Sequence, residues 1–248
     1  LFGIYRKIYE INALSHGATY WFNKSMQNVY FLEDFAAKGF FPYLIHLVRD
    51  GRDVALSFKN AIVGDKHIYH LAKKWKEDQE ISKYYIEKYG PERAITVQYE
   101  NLLHDPENEI KRICRLLKIP YSEEILKYYE SEESLITATS GEMWSNLTRP
   151  IISDNFDKYK NGLPSGEIIL FESIAGNVLT DYGYRMENHF SGRELIFSNK
   201  DIIRFDLENL AMKQEFIQHA SPLDLRKREA QNKLLLEIFE RKSISMPL

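Results

Sequence analysis

The sequence predicts an α/β fold, on three observations. Residues 44–48 (LIHLV) form a short apolar run of a length and composition suited to a buried strand. That run passes through the charged turn Arg49-Asp50-Gly51-Arg52-Asp53 into Val54, Ala55, Leu56 and Phe58, which recur at helical spacing. A second strand-like run, residues 92–100, alternates Ile95, Val97 and Tyr99 and leads through a turn into a helical stretch at 107–117. At 248 residues the chain is long enough for one such domain with a full core and an appendage.

The elements follow in order. Residues 1–14 carry apolar positions at helical spacing. Residues 19–25 (TYWFNKS) read as an aromatic strand ending in Asn23-Lys24-Ser25, which by pattern alone is packing with a solvated tip. Residues 26–37 are expected to be helical, and Gly39 and Pro42 separate them from the strand at 44–48. Asp65-Lys66 opens an amphipathic helix that runs to the stop signal Gly90-Pro91. Trp75 belongs to its core face, and His67 and His70 to the surface or a cleft edge, since no third ligand lies at metal spacing. Residues 101–106 are expected as a turn. In the helix after it, Ile110, Ile113, Cys114 and Leu117 make a buried stripe, with Cys114 acting as a small hydrophobe.

Residues 122–130 are a short helix and 130–133 an acidic, solvated turn. Residues 144–159 are polar and without period, and so long an irregular loop is often functional. A helix at 167–182 follows, with Ile168, Ile169, Phe171, Ile174, Ala175, Val178 and Leu179 on its core side. Beyond Phe190 two charge-rich amphipathic helices, 200–216 and 223–241, flank Ser221-Pro222. Their stripes are Ile203, Leu207 and Leu210, then Leu225, Leu234, Leu235 and Ile238, suiting a packed arm or a dimerising one. The expected division is a domain at 1–188 and a helical extension at 189–248.

Composition limits the function. The net charge of −3 argues against a general nucleic-acid binder, so any anion site must be a local basic cluster. The single Cys114 excludes an internal disulfide and a cysteine-rich zinc site, and favours a reducing, cytoplasmic compartment. No apolar run reaches the length of a membrane span. The turn at 49–53 is the main chemical signal. Past the carboxyl end of a strand, a helix N-terminus offers N–H groups to phosphate, and the fork of Arg49 suits a bidentate contact. Ser57, one to two turns into the helix, would reach the same anion. On spacing alone an ordinary strand–helix turn, whose charges cap and solvate it, is as good a reading.

The stretch Arg49-Asp-Gly-Arg-Asp-Val-Ala-Leu-Ser57 resembles the 3′-phosphate-binding signature of sulfotransferases that use 3′-phosphoadenosine 5′-phosphosulfate (PAPS). The resemblance, in the style of the bacterial and tyrosylprotein groups, covers residues 15–186. It implies a P-loop nucleotide-hydrolase-like, three-layer αβα fold with a parallel sheet. It makes Arg49 and Ser57 ligands of the 3′-phosphate. Lys24, with Trp21 and Asn23, is similar to a W/C-x-(D/N/E)-K-(S/T/D) element whose lysine sits by the transferred sulfuryl group. Preorganised cations there stabilise charge developing on the equatorial and bridging oxygens. Val97-Gln-Tyr-Glu-Asn-Leu102 with Asp105-Pro106 resembles the family's second strand, and puts Tyr99 near the adenosine. Glu100 is read as structural, because a carboxylate facing a polyanion needs a compensating cation. Ser145, Asn146 and Arg149 fall in a stretch similar to the family's (H/W)-S-x-x-x-R/K-P cofactor loop. Lys158, eight residues after Pro150, resembles a cofactor-contacting lysine.

One family feature is missing. The Gly/Ser/Thr-rich loop that cradles the 5′-phosphosulfate has no counterpart; Ser15-His16-Gly17-Ala18-Thr19 lacks the preceding strand and the basic residue. The domain is therefore expected to be N-terminally incomplete, a fragment rather than a degenerate member, and to bind PAPS poorly as it stands. The expected activity is sulfuryl transfer from PAPS, as co-substrate, to an acceptor hydroxyl or amine. The acceptor is a carbohydrate, tyrosine peptide, lipid or small molecule, and a homodimer through the C-terminal helices is foreseen. The rivals are a non-catalytic nucleotide-binding or scaffolding module and a P-loop kinase relative. Against the kinase stands the lack of Gly-x-x-x-x-Gly-Lys-(Ser/Thr).

Overall fold

A computed structural model describes residues 2–188 and 195–242. The chain opens with α1 (Phe2–Ser15), whose Tyr5 and Tyr9 face inward while Ile4, Ile8, Ile11 and Leu14 stay exposed. Residues 19–25 run back along α1 without forming the expected strand. Their aromatic alternation is met by ring packing instead of a backbone ladder: Trp21 stacks on Tyr9 at 4.8 Å, and Tyr20 and Phe22 point to solvent. The helix expected over 26–37 is split into a 3₁₀ turn, Asn28–Phe31, and the short α2 (Leu32–Ala36).

Strand β1 (Leu44–Val48) follows, then α3 (Gly51–Lys59), α4 (Ile68–Tyr89) and β2 (Ala94–Gln98). The strands pair in parallel from Leu44↔Ala94 to Val48↔Gln98. A tight turn cannot join parallel neighbours, and α3 with α4 supplies the crossover. Gly90 closes α4 at φ 68°, a conformation glycine takes without strain. His46 of β1 is buried against α4, where its Nε2 lies 2.8 Å from Gln79 Oε1. Buried polar groups need such partners. On the same strand Leu47 is 53% exposed.

Helix begins again at once after β2, as α5 (Tyr99–His104) and α6 (Pro106–Leu117). The turn expected at 101–106 is thus mostly helical, interrupted at Asp105, whose carboxylate caps α6 ahead of Pro106. Cys114 is buried. A 3₁₀ segment (Glu123–Glu130), α7 (Glu132–Ala138) and a 3₁₀ turn (Glu142–Thr148) precede α8 (Tyr159–Gly162) and α9 (Ser165–Asp181). Helix α9 packs on α4 to make the core, with Phe171, Ala175 and Leu179 fully shielded and Trp75 5% exposed. Ile169, expected in the core, is 38% exposed.

The boundary expected at 188/189 opens onto residues 189–194, outside the described residues. Helix α10 (Asn199–Gln218) docks on the start of α4. Asn209 Oδ1 accepts from the backbone N–H groups of Lys66 and His67 at 2.8 and 3.0 Å, and Phe205 stacks on His67. Docking through Phe205 and Asn209 leaves Ile203 and Leu207, part of the expected apolar stripe, 58% and 62% exposed. The contact also draws His67 and His70 under α10, within 3.0 Å of Glu208 and 3.2 Å of Asp206. Leu225, Leu234, Leu235 and Ile238 of α11 (Pro222–Lys242) are exposed too, while Leu210 of α10 is half-buried. Among the described residues the sheet has two strands and helix predominates, which is compatible with an αβα arrangement. No described helix is long and apolar enough to cross a membrane.

Candidate anion site

The turn between β1 and α3 divides its four charged side chains between two tasks. Arg52 is 1% exposed and faces inward. Its Nε and Nη2 donate to the two carboxylate oxygens of Asp50 at 3.0 and 2.6 Å, Nη1 donates to Glu172, and the guanidinium lies 4.1 Å over the Tyr159 ring. Nη2 also donates to Arg185 O at 3.0 Å. Asp53 Oδ1 accepts from Tyr159 N at 2.8 Å, which ties α8 to α3. Buried charges persist only when paired and hydrogen-bonded in this way.

Asp50 also caps the helix it precedes. Its Oδ1 accepts from Arg52 N at 2.9 Å, so the N-terminus of α3 is capped by the chain's own carboxylate. Glu100 is structural, as read from the sequence: its oxygens accept from Asp50 N and from the Tyr184 hydroxyl, both at 2.9 Å. Burial and Glu100 push the Tyr184 phenol well above its ordinary range, which keeps it a donor.

Arg49 does the opposite of Arg52. It leaves the end of β1 half-buried, with its guanidinium 4.7 Å over the Tyr99 ring. Nη2 donates to Asn155 O at 2.9 Å and lies 3.5 Å from Asp53 Oδ2. Nε is shielded from solvent and has no acceptor among the described residues. Tyr99 starts α5, and its hydroxyl accepts from Asn155 Nδ2 at 2.7 Å. Trp75 Nε1 donates to Arg49 O at 3.2 Å and fixes the backbone beneath. Ser57 sits about 9 Å along α3 from Gly51 at the helical rise; its hydroxyl is exposed and makes no hydrogen bond among the described residues.

The lysine element is held by α1. Asn23 donates to the Tyr9 hydroxyl and Asn28 donates to Asn23. Lys24 is exposed, its ammonium 4.8 Å from the centre of the Trp144 ring. Trp144 belongs to the stretch 142–158, a 3₁₀ turn followed by irregular chain, which the structure joins to both cations. Its start meets Lys24 through Trp144, its middle rests on Tyr128, whose hydroxyl donates to Arg149 O at 2.9 Å, and Asn155 meets Arg49 and Tyr99. The side chains of Ser145, Asn146, Arg149 and Lys158 are exposed, and none makes a hydrogen bond or ion pair among the described residues. The structure thus brings together Arg49 and Tyr99 and links Lys24 to the same loop, while Ser57, Ser145, Asn146, Arg149 and Lys158 stay unengaged.

Two participants escaped sequence reasoning. A lone asparagine in an irregular loop carries no signal for Asn155. Trp144 had one only as the residue before Ser145. Among the described residues no group of three or more His, Cys, Asp or Glu side chains is placed to hold a metal ion.

Comparison with known proteins bears on the same elements. Residues 4–123 match the model of the family described as "Sulfotransferase family". That match contains Lys24, Arg49, Ser57 and Tyr99 and ends before the stretch 142–158. The chain is similar to "Protein-tyrosine sulfotransferase A" of Caenorhabditis elegans, with 27% identity over 147 residues. The aligned part is 56% of this chain and 38% of that protein, so the chain spans well under two thirds of that relative's length.

Proposed function

From the premise that residues 4–123 belong to the sulfotransferase family, we propose that this protein moves a sulfuryl group from PAPS to an acceptor hydroxyl or amine. The observation that carries the reading is Arg49 Nε, shielded from solvent and without an acceptor among the described residues, in a guanidinium stacked on Tyr99 at the carboxyl end of β1. A buried donor left unpaired costs stability, and a phosphate oxygen would satisfy it with a charge-assisted bond. Ser57 would add its free hydroxyl to that 3′-phosphate, and Tyr99 would lie by the adenosine. Ser145, Asn146, Arg149 and Lys158 would turn their unengaged side chains to the donor's remaining oxygens.

In the transfer, the acceptor oxygen or nitrogen forms a bond to sulfur as the bond from sulfur to the bridging oxygen breaks. The bonding pair leaves on the phosphate of adenosine 3′,5′-bisphosphate, and the acceptor's proton goes to a base that the described residues do not assign. Lys24 is the residue we put beside the bridging and equatorial oxygens, where a fixed cation offsets developing charge. In this reading a sulfotransferase domain of αβα type occupies 1–188 and 189–248 is a helical extension, its uncovered α11 available for a homodimer. The acceptor is a carbohydrate, tyrosine peptide, lipid or small molecule; the tyrosine reading is favoured by the C. elegans relative's name. The single, buried Cys114 supports a reducing, cytoplasmic compartment.

The test measures binding of adenosine 3′,5′-bisphosphate and adenosine 5′-monophosphate to the complete gene product and to its Arg49→Ala form. We expect the 3′-phosphate to improve binding, and Arg49→Ala to remove about 10- to 150-fold of that gain. Equal binding of the two nucleotides sinks the reading. A non-catalytic nucleotide-binding module is the second reading, favoured by one observation: no described strand leads into a Gly/Ser/Thr-rich loop and helix. Label transfer from sulfur-labelled PAPS to an acceptor separates the two, and residues 1–248 alone should bind PAPS poorly.

A further inference from the structure

Lys24 makes no hydrogen bond or ion pair with any described residue; its ammonium lies against the face of Trp144, 4.8 Å away and 120 positions further along the chain. From this we propose that Trp144 is the positioning residue for Lys24, an inference that rests on the sulfotransferase reading above. The choice of partner matters chemically. A carboxylate would fix a lysine equally well, but it would neutralise the charge and take up N–H donors. An indole face attracts the cation through its quadrupole and leaves the charge uncompensated and the donors available. A lysine held so is steered, yet still carries its full charge to the oxygens of a sulfuryl group.

The surroundings fit that role on both sides of the contact. On the lysine side the backbone is anchored one residue earlier, where Asn23 donates to Tyr9 of α1 and accepts from Asn28. On the aromatic side, Trp144 N donates to Gly141 O at 3.0 Å at the start of the 3₁₀ turn. Asp224 of α11 crowds the same spot: a Cβ on Gly141 would meet its Oδ1 at 2.7 Å and Trp144 Cδ1 at 3.9 Å. The turn that carries Trp144 is therefore backed by the C-terminal helix. The neighbour of Lys24 is held through its side chain and Trp144 through its backbone N–H, and the cation and ring close the gap between them. The same stretch holds Arg49 through Asn155, so orienting Lys24 and orienting Arg49 are two tasks of one loop.

The experiment compares the complete gene product with its Trp144→Leu, Trp144→Phe and Lys24→Met forms, without and with substrates. With lysines labelled with carbon-13, the ε-methylene signal missing in Lys24→Met belongs to Lys24. In the wild type it should stand upfield of the other lysines through the ring current, keep most of that shift in Trp144→Phe and lose it in Trp144→Leu. In the transfer reaction Trp144→Leu should lower kcat about two- to fivefold at unchanged donor KM, Trp144→Phe should restore most of the loss, and in a Lys24→Met background Trp144→Leu should change nothing further. A Lys24 signal at the position of the other lysines overturns the proposal, as does a shifted signal with kcat equal in the Leu and Phe forms. No transfer by any form overturns the sulfotransferase reading and this inference with it; transfer with an unshifted Lys24 overturns this inference alone.

Discussion

Replacing Arg52 by methionine should unfold the protein far more readily while leaving the groups proposed to touch the donor in place. The side chain is 1% exposed and joins Asp50, Glu172, the Arg185 carbonyl and the Tyr159 ring. Methionine fills much of the volume but leaves two buried carboxylates without their shared cation. Glu172 keeps its bonds from Glu187 N, Asn188 N and Asn188 Nδ2 at 2.9, 3.0 and 2.9 Å, yet its charge loses the cation. Removing one partner of a buried pair costs about 3–5 kcal/mol. For a chain of 248 residues that corresponds to a fall in Tm of roughly 6–20 °C. Urea denaturation at pH 7 measures the loss. The mechanism also fixes the sign of its pH dependence. An unpaired buried carboxylate takes up a proton more readily, so the deficit relative to wild type should shrink as pH falls from 7 towards 5. Glu172→Gln added to Arg52→Met should recover part of the stability at pH 7. A loss under about 1 kcal/mol, the size of a surface pair, would refute the charge-pair account. So would a deficit that does not change with pH.

Other outcomes follow from the same geometry. Gly51→Ala would place a Cβ 2.5 Å from Phe171 Cζ and Trp75 Cδ2, an overpacking that should cost about 1–3 kcal/mol in thermal or chemical melts. Burial holds the His46 imidazole below its ordinary value of 6.5, so it stays neutral, donating from Nε2 to Gln79, while the unfolded chain protonates first. Stability should therefore fall as pH drops below about 6.5, and His46→Leu should flatten that slope in melts from pH 7 to 5. Lys24→Ala should lower kcat strongly and donor affinity little in steady-state kinetics; an equal loss in both would make Lys24 a binding residue only.

Much of this was legible in the chain because it depends on local pattern. The run 44–48 and the glycine stop at Gly90 carry their conformations in their own composition, and each stands where the spacing put it. Residues 19–25 went astray because an alternating aromatic run suits a strand or a helix-packed coil equally. The rings of α1 decided between them. Similarly, the stripes of α10 and α11 suited a packed or a dimerising arm, but which face is covered depends on the partner, and α4 takes Phe205 and Asn209.

The turn between β1 and α3 marks the division most clearly. By itself the sequence determined a strand, a charged turn and a helix, because apolar period and turn chemistry act within a few residues. It could not say which arginine faces the core, since Arg49 and Arg52 have the same chemistry and are three positions apart. Only the tertiary structure decided that, by bringing Glu172 and the Arg185 carbonyl from more than a hundred residues away to surround Arg52. Arg49 was left half-buried, its Nε shielded from solvent and without an acceptor among the described residues. The distant chain likewise delivered Asn155 to Arg49 and Trp144 to Lys24, contacts set by long-range packing and invisible to any local pattern.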